Sequence, residues 1–295
     1  MSIGVIGAGK WGSALAFALS EKNDVYITSR TPRDLENFVS LEKVLECEYL
    51  VIAIPAQQIS SWLDNNFIFS GQKVLVVSKG IEASSGRFLN EIYAKYVPDD
   101  KIAFLSGPSF AVEVQQSLPT ALVVNSTNER LAKEFASLFP SFIKAYTSTD
   151  VVGAEVSGAY KNVIAIAAGI CEGLGLGNNA AAALISRGLV EMQRFGVSYG
   201  AKEETFTGLG GAGDLFLTAS STMSRNFRVG LGLSKGQTQK QILGDLGEVA
   251  EGIGTAYALH EISAKKDLYL PIAREVYEML EGKNPQESLK DLLSR

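Results

Sequence analysis

The 295-residue sequence contains one histidine and two cysteines, and this scarcity excludes several kinds of site. With a single histidine, His260, and with Cys47 and Cys171 far apart, the chain lacks the ligand spacing of a zinc site. A Ser-His-Asp hydrolase would have to use His260, yet the chain shows no nucleophile elbow. We therefore interpret His260 as a helix-surface residue, expect no metal, and expect any proton chemistry to use Lys, Asp, Glu or Tyr.

The chain also lacks the marks of a secreted or membrane protein. Its two cysteines form no CxxC pair and are too few for a disulfide framework. No apolar run approaches the roughly 20 residues of a membrane span. No basic segment precedes the apolar run that starts at Ile3, as a signal peptide would require. These absences predict a cytoplasmic protein without a membrane span.

Positive charge is scarce as well. The chain has 27 Lys and Arg against 32 Asp and Glu, which gives a net charge of −5, and the cations are scattered along it. A nucleic-acid partner favours a basic stripe, so we expect no nucleic acid. A small anionic ligand stays open, because it needs only a few local cations. The proportion of apolar residues, 46%, is typical of a folded soluble protein.

Short apolar runs alternate with helical patterns over the first half of the chain. The runs are continuous rather than alternating, which is typical of parallel strands covered on both faces. The predicted strands are residues 3–6, 25–28, 50–54, 74–77, 102–105 and 122–124. The predicted helices are residues 11–22, 41–47, 59–65, 85–95 and 128–139. This order predicts an α/β fold with a doubly wound, Rossmann-type parallel sheet.

Beyond about residue 150 only helical patterns are evident. The predicted helices are residues 156–172, 179–199, 250–265, 271–281 and 286–293, and Pro271 suits the first turn of its helix. We therefore predict a dinucleotide-binding domain at 1–149 and an all-helical substrate-binding and catalytic domain at 150–295. A reacting site is expected in the cleft between two such domains.

A glycine fingerprint follows the first predicted strand and opens a helix. In Gly7-x-Gly9-x-x-Gly12, the first glycine permits a tight turn, the second lets a pyrophosphate approach the backbone, and the third allows close helix–strand packing. The N-terminus of the helix adds free N–H groups and a positive dipole end. This context predicts a dinucleotide cofactor, against the alternative of a glycine-rich turn without a ligand.

The end of the second predicted strand bears on the choice of cofactor. NAD enzymes usually carry an acid there to bind the ribose 2′-hydroxyl. This chain has Thr28-Ser29-Arg30 instead, with Arg33 close behind. A 2′-phosphate would meet a guanidinium rather than a carboxylate, so NADP(H) is the predicted preference. A solvated Arg30 and use of NAD(H) stay open as the alternative.

Several polar residues stand out against apolar or glycine-rich surroundings. Lys79 and the Gly107-Pro108-Ser109 segment each follow a strand, at the carboxyl end where ligands bind in such sheets. Lys161 precedes an apolar helical run, so it is a candidate for a desolvated amine with a lowered pKa that donates a proton. From the pattern alone, a lysine whose ammonium reaches solvent is the alternative.

Two later segments bear on the same chemistry. Gly210-Gly211-Ala212-Gly213 is interpreted as a glycine-rich loop that delivers the carboxylate of Asp214. The triplet Ser224-Arg225-Asn226 could bind a phosphate through one guanidinium and two polar side chains, although alone it would also suit an ordinary helix start.

Taken together, these stretches resemble the bacterial NAD(P)-dependent sn-glycerol-3-phosphate dehydrogenase family. The resemblance spans nearly the whole chain, and its most distinctive part is the long alanine-rich run followed by the later GAGDL and SRN motifs. The matching stretches are GAGKWGSALA, VSKGIE, LSGPSFAVEV, YKNVIAIAAGICEGLGLGNNAAAALISRGL, TGLGGAGDLFLT, SRNFRVG and GEVAEG.

The resemblance implies a role for each matched residue. It implies that Lys161 is the general acid/base and that Lys79 and Asp214 flank the same substrate oxygens as catalytic partners. The substrate-binding set that it implies is Lys79, Gly107, Ser109, Lys161, Asn162, Asp214, Thr218, Ser224, Arg225 and Asn226. The cofactor-binding set that it implies is Gly7, Gly9, Lys10, Trp11, Gly12, Arg30, Lys79, Ala111, Arg225, Val249 and Glu251.

The reaction implied is the reversible reduction of dihydroxyacetone phosphate to sn-glycerol 3-phosphate, for glycerophospholipid synthesis. Two alternatives stay open, namely a dehydrogenase of hydroxy acids or sugar acids and a non-catalytic dinucleotide sensor. The oligomeric state, a homodimer included, is also open. The chain departs from the family at Lys10, where a small hydroxyl residue is common, and in the short segment 33–41, which bears on the adenine-side pocket.

Overall fold

The computed structural model describes residues 1–293, and its first half is a seven-stranded sheet of order β2-β1-β3-β4-β7-β8-β9. A separate two-stranded hairpin joins β5 and β6. The strands are β1 (Ser2–Ile6), β2 (Asp24–Thr28), β3 (Tyr49–Ile52), β4 (Lys73–Val76), β5 (Ile81–Glu82), β6 (Arg87–Phe88), β7 (Ile102–Ser106), β8 (Thr120–Asn125) and β9 (Ile143–Ser148). The six predicted strands are all present, with ends that differ by at most two residues.

Helices connect the strands, and over the described residues only helices and turns follow β9. The helices of the first half are α1 (Lys10–Ser20), α2 (Leu41–Leu45), α3 (Ile59–Asn66), α4 (Leu89–Tyr93), α5 (Ala111–Gln115) and α6 (Glu129–Leu138). Those of the second half are α7 (Val151–Gly173), α8 (Gly177–Val197), α9 (Glu203–Thr207), α10 (Asp214–Ala219), α11 (Arg225–Ser234), α12 (Gln239–Leu246), α13 (Glu251–Lys266), α14 (Pro271–Leu280) and α15 (Pro285–Leu293). The predicted α/β fold with a helical C-terminal part is confirmed.

Several predictions about single elements are wrong. The pairing of β7 with β8 is antiparallel, so the sheet is not wholly parallel. The connection 107–119 holds only the short α5, so the chain turns back at the carboxyl end of β7 and does not cross the sheet. Residues 85–95 are not one helix, because Arg87 and Phe88 pair with β5 and only Leu89–Tyr93 is helical.

The glycine-rich segment 210–213 is not a loop as predicted. Residues Leu209–Gly213 form a single π-helical turn that leads directly into α10. The glycines permit close backbone packing there, since a methyl group at Gly211 would overlap the backbone of Phe206. Asp214 therefore begins a helix.

Helix α7 is the centre of the second half. Its residues from Gly153 to Cys171 are all buried, and the other helices pack around it. A helix that is apolar on every side is typical of such a buried position. Lys161, in the middle of α7, is therefore held in the interior, 7% exposed, and it lines the cleft described below.

The single histidine and the two cysteines are all at least partly buried. His260 lies half-buried on α13 and stacks on Tyr277, with ring centroids 3.7 Å apart. Cys47 and Cys171 are both buried and unpaired.

In the described part of the chain, no helix is long and apolar enough to span a membrane. Within residues 1–293, no cluster of His, Cys, Asp and Glu could hold a metal ion.

Candidate active site

A cleft of about 2220 Å³ lies between the carboxyl ends of the first strands and the helices around α7. It is bounded by the glycine loop after β1, the segments after β2, β3 and β4, and the starts of α10, α11 and α13. Nearly all the predicted site residues line it. The exception is Gly107, which contributes only a backbone carbonyl to the network described next.

Lys161 lies at the buried end of the cleft and is held by Asp214. Its ammonium donates to Asp214 Oδ1 and to Thr218 Oγ1, the latter at 2.9 Å. Thr218 in turn donates to the backbone carbonyl of Asp214 at 2.7 Å, one helical turn earlier. Asp214 is only 1% exposed, so the pair is shielded from bulk water.

Lys79 approaches the same carboxylate from the sheet. Its Nζ lies 2.6 Å from Asp214 Oδ2 and 3.4 Å from the carbonyl oxygen of Gly107. Gly158 on α7 makes room for the lysine, because a methyl group there would lie 3.2 Å from Lys79 Cγ. One carboxylate thus joins a lysine from the sheet to a lysine from α7.

The charges of this cluster are set by burial and by one another. Burial lowers the pKa of Lys161 to about 8, with Lys79 adding to the effect and Asp214 opposing it. Burial alone would raise the pKa of Asp214, but Lys161 and Lys79 hold the pKa of that carboxyl below its usual range. Lys161 can therefore exchange a proton near neutral pH beside a permanent anion, as a general acid/base requires.

The glycine loop has the geometry that a dinucleotide needs. Gly7 adopts a φ of +111°, and a methyl group on Gly12 would overlap the carbonyl oxygen of Gly7, so both positions require glycine. At Gly9, by contrast, no atom lies within 4 Å of the place a Cβ would occupy. Gly9 caps α1 without a side-chain hydrogen bond, which leaves the first N–H groups of that helix facing open space. The loop therefore fits a pyrophosphate.

The segment after β2 lines the outer part of the cleft. Arg30 is exposed there, close to Ser29 and Arg33. Asp34 lines the same region, which the sequence analysis did not anticipate. The short segment folds back on the sheet through a bridge between Ile27 and Phe38. The cations there suit a 2′-phosphate, whereas Asp34 adds one opposing charge.

The triplet at the start of α11 begins a helix, and it also places an arginine in the cleft. Ser224 is the helix N-cap, and its hydroxyl oxygen accepts from the backbone N–H of Phe227 at 3.2 Å. Arg225 is exposed toward the cleft, whereas Asn226 is buried. The side-chain oxygen of Asn226 accepts from the N–H of Gly252 at 3.0 Å, which ties α11 to α13. Arg225 is thus the residue of the triplet whose charged group faces the cleft.

The remaining predicted residues lie around these groups. Glu251 is partly buried, and desolvation of its carboxyl raises the pKa to about 7, while its Oε1 accepts from the N–H of Ala56 at 3.0 Å. Its Oε2 is buried without a partner among the described residues. Val249 is 42% exposed in the cleft wall, and Ala111 begins α5. The predicted residues Trp11, Ser109 and Asn162 also line the cleft.

Besides Asp34, two more charged residues of the cleft escaped the sequence analysis. Glu248 lies beside Lys10 and Arg225, and Arg228 lies one turn after Arg225. The signal for Glu248 was its place in GEVAEG, between a glycine and two residues already assigned to the cofactor. Lys10 is exposed and pairs with Glu248 at 2.6 Å, a contact that the sequence analysis did not foresee.

Comparison with known proteins shows which family this chain is similar to. Family models described as the NAD-dependent glycerol-3-phosphate dehydrogenase N-terminus and C-terminus match residues 23–132 and 150–290. A protein of Sulfurimonas denitrificans named glycerol-3-phosphate dehydrogenase (NAD(P)+) is 75% identical over 99% of both chains. One of the same name from Campylobacter jejuni is 58% identical over 100% of this chain and 99% of its own. The crystal structure of glycerol-3-phosphate dehydrogenase from Coxiella burnetii, 32% identical, matches with a TM-score of 0.91 over 100% of this chain and 99% of that one.

Proposed function

Because the chain belongs to the NAD-dependent glycerol-3-phosphate dehydrogenase family, we propose that it reduces dihydroxyacetone phosphate to sn-glycerol 3-phosphate with NAD(P)H. The reaction is reversible and supplies the glycerol phosphate of phospholipids. The observation that carries the proposal is the buried Lys161–Asp214 pair, which shares one cleft with a glycine loop suited to pyrophosphate and with an exposed arginine.

In this proposal Lys161 is the general acid. The nicotinamide, when bound, supplies a hydride to the carbonyl carbon. The Lys161 ammonium gives its proton to the carbonyl oxygen, so a hydroxyl forms and no alkoxide accumulates. Asp214 and Thr218 fix the position of the ammonium, and Lys79 places a second positive charge beside the same carboxylate. In the reverse direction the neutral amine takes the proton from the C2 hydroxyl.

The substrate and cofactor sets are proposed on the same basis. Arg225, with Ser224 and Asn226, would bind the substrate phosphate, and Gly107, Ser109 and Asn162 would complete the substrate wall. The glycine loop with Lys10 and Trp11 would hold the pyrophosphate. Ala111 and Val249 would line the dinucleotide, and the unpartnered Oε2 of Glu251 would accept a hydrogen bond from it. Use of both cofactors, with NADP(H) preferred through Arg30, completes the proposal.

Arg225, Ser224 and Asn226 form the proposed phosphate clamp. This clamp distinguishes the proposed function from that of a hydroxy-acid or sugar-acid dehydrogenase. Arg225→Ala is expected to raise KM for dihydroxyacetone phosphate about tenfold to a hundredfold, since a charge-assisted contact to phosphate is lost. Arg130→Ala, an exposed arginine on α6 outside the cleft, is the matched control and should leave KM unchanged. Initial rates of NADPH oxidation measure both. An unchanged KM in Arg225→Ala, or turnover of unphosphorylated hydroxy acids in preference, would contradict the proposal.

The roles of the two domains, the partners, the location and the oligomeric state are proposed together with this function. Residues 1–149 would bind the dinucleotide, and residues 150–295 would bind the substrate. The net charge of −5 supports a small-molecule substrate and no nucleic acid, and the unpaired cysteines support a cytoplasmic location. A homodimer is supported by α8, which leaves Val190 and Val197 49% and 41% exposed. Light scattering should then give twice the mass of one chain, and the mass of a single chain would refute the dimer.

A further inference from the structure

Glu248 joins two cations that belong to different parts of the cleft. Lys10 donates to Glu248 Oε1 at 2.6 Å, and Nη1 of Arg225 lies 3.7 Å from Glu248 Oε2. Lys10 is part of the glycine loop at the start of α1, whereas Arg225 begins α11. One carboxylate therefore connects the dinucleotide loop with the proposed phosphate clamp.

The three side chains differ in how exposed they are. The side chain of Glu248 is 26% exposed, against 76% for Lys10 and 44% for Arg225. Glu248 also lies on a short linker between α12 and α13, where Gly247 ends α12 in the left-handed conformation with a φ of +61°. The carboxylate is therefore the least exposed of the three groups, and both cations lie within reach of it.

Glu248 is an anion in a cleft that takes anionic ligands. Burial alone would raise its pKa, but the hydrogen bond from Lys10 and the charges of Lys10, Arg225 and Arg228 hold the pKa below its usual range. A carboxylate there competes with a substrate phosphate for the guanidinium of Arg225. The competition weakens when another cation satisfies the carboxylate.

We propose that Glu248 is a positioning residue for Arg225, and that Lys10, by pairing with Glu248, leaves Arg225 available to the substrate phosphate. The proposal rests on the function proposed above and extends it. It gives Lys10 an effect on substrate binding that acts through Glu248, in addition to its place beside the cofactor. Without Lys10, Arg225 becomes the partner of Glu248 and is drawn away from the phosphate.

A double-mutant cycle tests this directly. KM for dihydroxyacetone phosphate is measured at saturating NADPH in the wild type, Lys10→Ser, Glu248→Gln and the double variant. Lys10→Ser is expected to raise KM about fivefold when Glu248 is present, the size of one partly exposed ion pair. In the Glu248→Gln background the same change should alter KM by less than about twofold. The effect falls on KM rather than kcat, because the carboxylate acts on the clamp and not on the proton donor.

The matched control is Lys133→Ser, which removes an equally exposed lysine that pairs with Glu129 on α6. It should leave KM unchanged in both backgrounds. If Lys10→Ser raises KM equally with and without the Glu248 carboxylate, or raises it in neither, the proposal is wrong while the proposed function stands. A wild type that does not turn over dihydroxyacetone phosphate would overturn both.

Discussion

At the scale of single residues, the proposed chemistry depends on two buried neighbours, one whose pKa is shifted mainly by desolvation and one that is kept ionised by the charges facing it. Desolvation lowers the pKa of Lys161 to about 8, whereas Asp214 stays ionised because two ammonium groups face it. A lysine with its ordinary pKa would hold its proton too firmly to serve as a base near neutral pH. In the proposed mechanism the pair would supply a proton donor for reduction and an acceptor for oxidation from one side chain.

This pKa predicts opposite pH profiles for the two directions. Reduction needs the Lys161 ammonium, so kcat/KM for dihydroxyacetone phosphate should fall about tenfold per pH unit above about 8. Oxidation of glycerol 3-phosphate needs the amine, so its kcat/KM should fall below that pH. Steady-state rates in both directions from pH 6 to 10 measure this. Parallel profiles in the two directions would exclude Lys161 as the titrating group.

Removing the charge of Lys79 tests the direction in which the pKa of Lys161 is shifted. Its positive charge lowers the pKa of Lys161 and competes for Asp214, so Lys79→Met should move the titration of Lys161 to higher pH. Activity is expected to fall as well, because Lys79 lies in the site. The measured quantity is the midpoint of the residual kcat/KM profile. A midpoint that stays in place or moves to lower pH would contradict the assignment.

At the scale of elements, glycines bring α11 against α7. A methyl group on Gly169 would overlap the carbonyl oxygen of Phe227, and one on Gly230 would overlap that of Ile166. The two helices therefore approach backbone to backbone. Since α7 carries Lys161 and α11 begins at Arg225, this contact sets the distance between the proposed proton donor and the proposed phosphate clamp.

Gly230→Ala should disturb that distance. The added methyl group must push α11 from α7, so we expect the free energy of unfolding to fall by about 1–3 kcal/mol. Because the clamp moves with α11, kcat/KM should fall about tenfold or more. Urea unfolding and steady-state kinetics measure the two effects.

Gly244→Ala on α12 is the matched control, because no atom lies within 4 Å of its Cβ position. Alanine favours a helix over glycine, so this variant should match or exceed wild-type stability by up to about 1 kcal/mol. Equal effects of the two substitutions would show that the close contact between α7 and α11 has no special importance.

How well an element could be predicted from the sequence depended on how it is buried. Strands β1, β3 and β4 are continuous apolar runs covered on both faces, and such runs are easily recognised. Strand β9 lies at the edge of the sheet, where Lys144 and Tyr146 are solvated, so its apolar run is broken. Helix α11 was missed because it is rich in glycine, which ordinarily disfavours helices and here serves close packing.

At the scale of the whole molecule, the site is assembled from both halves of the chain. The proposed catalytic set followed from motifs, because Lys79, Lys161 and Asp214 each lie in a recognisable segment. The Lys10–Glu248 contact could not be predicted in this way, since its partners are 238 residues apart and only the tertiary fold brings them together. Asp34 escaped for a similar reason, as the short segment after β2 turns it toward the cleft.

The charges in the outer part of the cleft predict that NADPH is preferred over NADH. Arg30 and Arg33 favour a 2′-phosphate, so the wild type should have a higher kcat/KM with NADPH than with NADH. Arg30→Ala should reduce that ratio about tenfold, mainly through KM for NADPH, because one charge-assisted contact is lost. Rates with both cofactors at saturating substrate give the ratio. An unchanged ratio would assign the preference to another residue.

The central claim is that the buried lysine of α7 performs proton transfer to dihydroxyacetone phosphate in this cleft. The most direct measurement is NADPH-dependent formation of sn-glycerol 3-phosphate by the wild type and by Lys161→Met, with NADPH affinity determined in parallel from its fluorescence. We predict product from the wild type, a loss of kcat of about a thousandfold or more in the variant, and similar NADPH affinity in both. Near-normal turnover by Lys161→Met, or no sn-glycerol 3-phosphate from the wild type, would contradict the account.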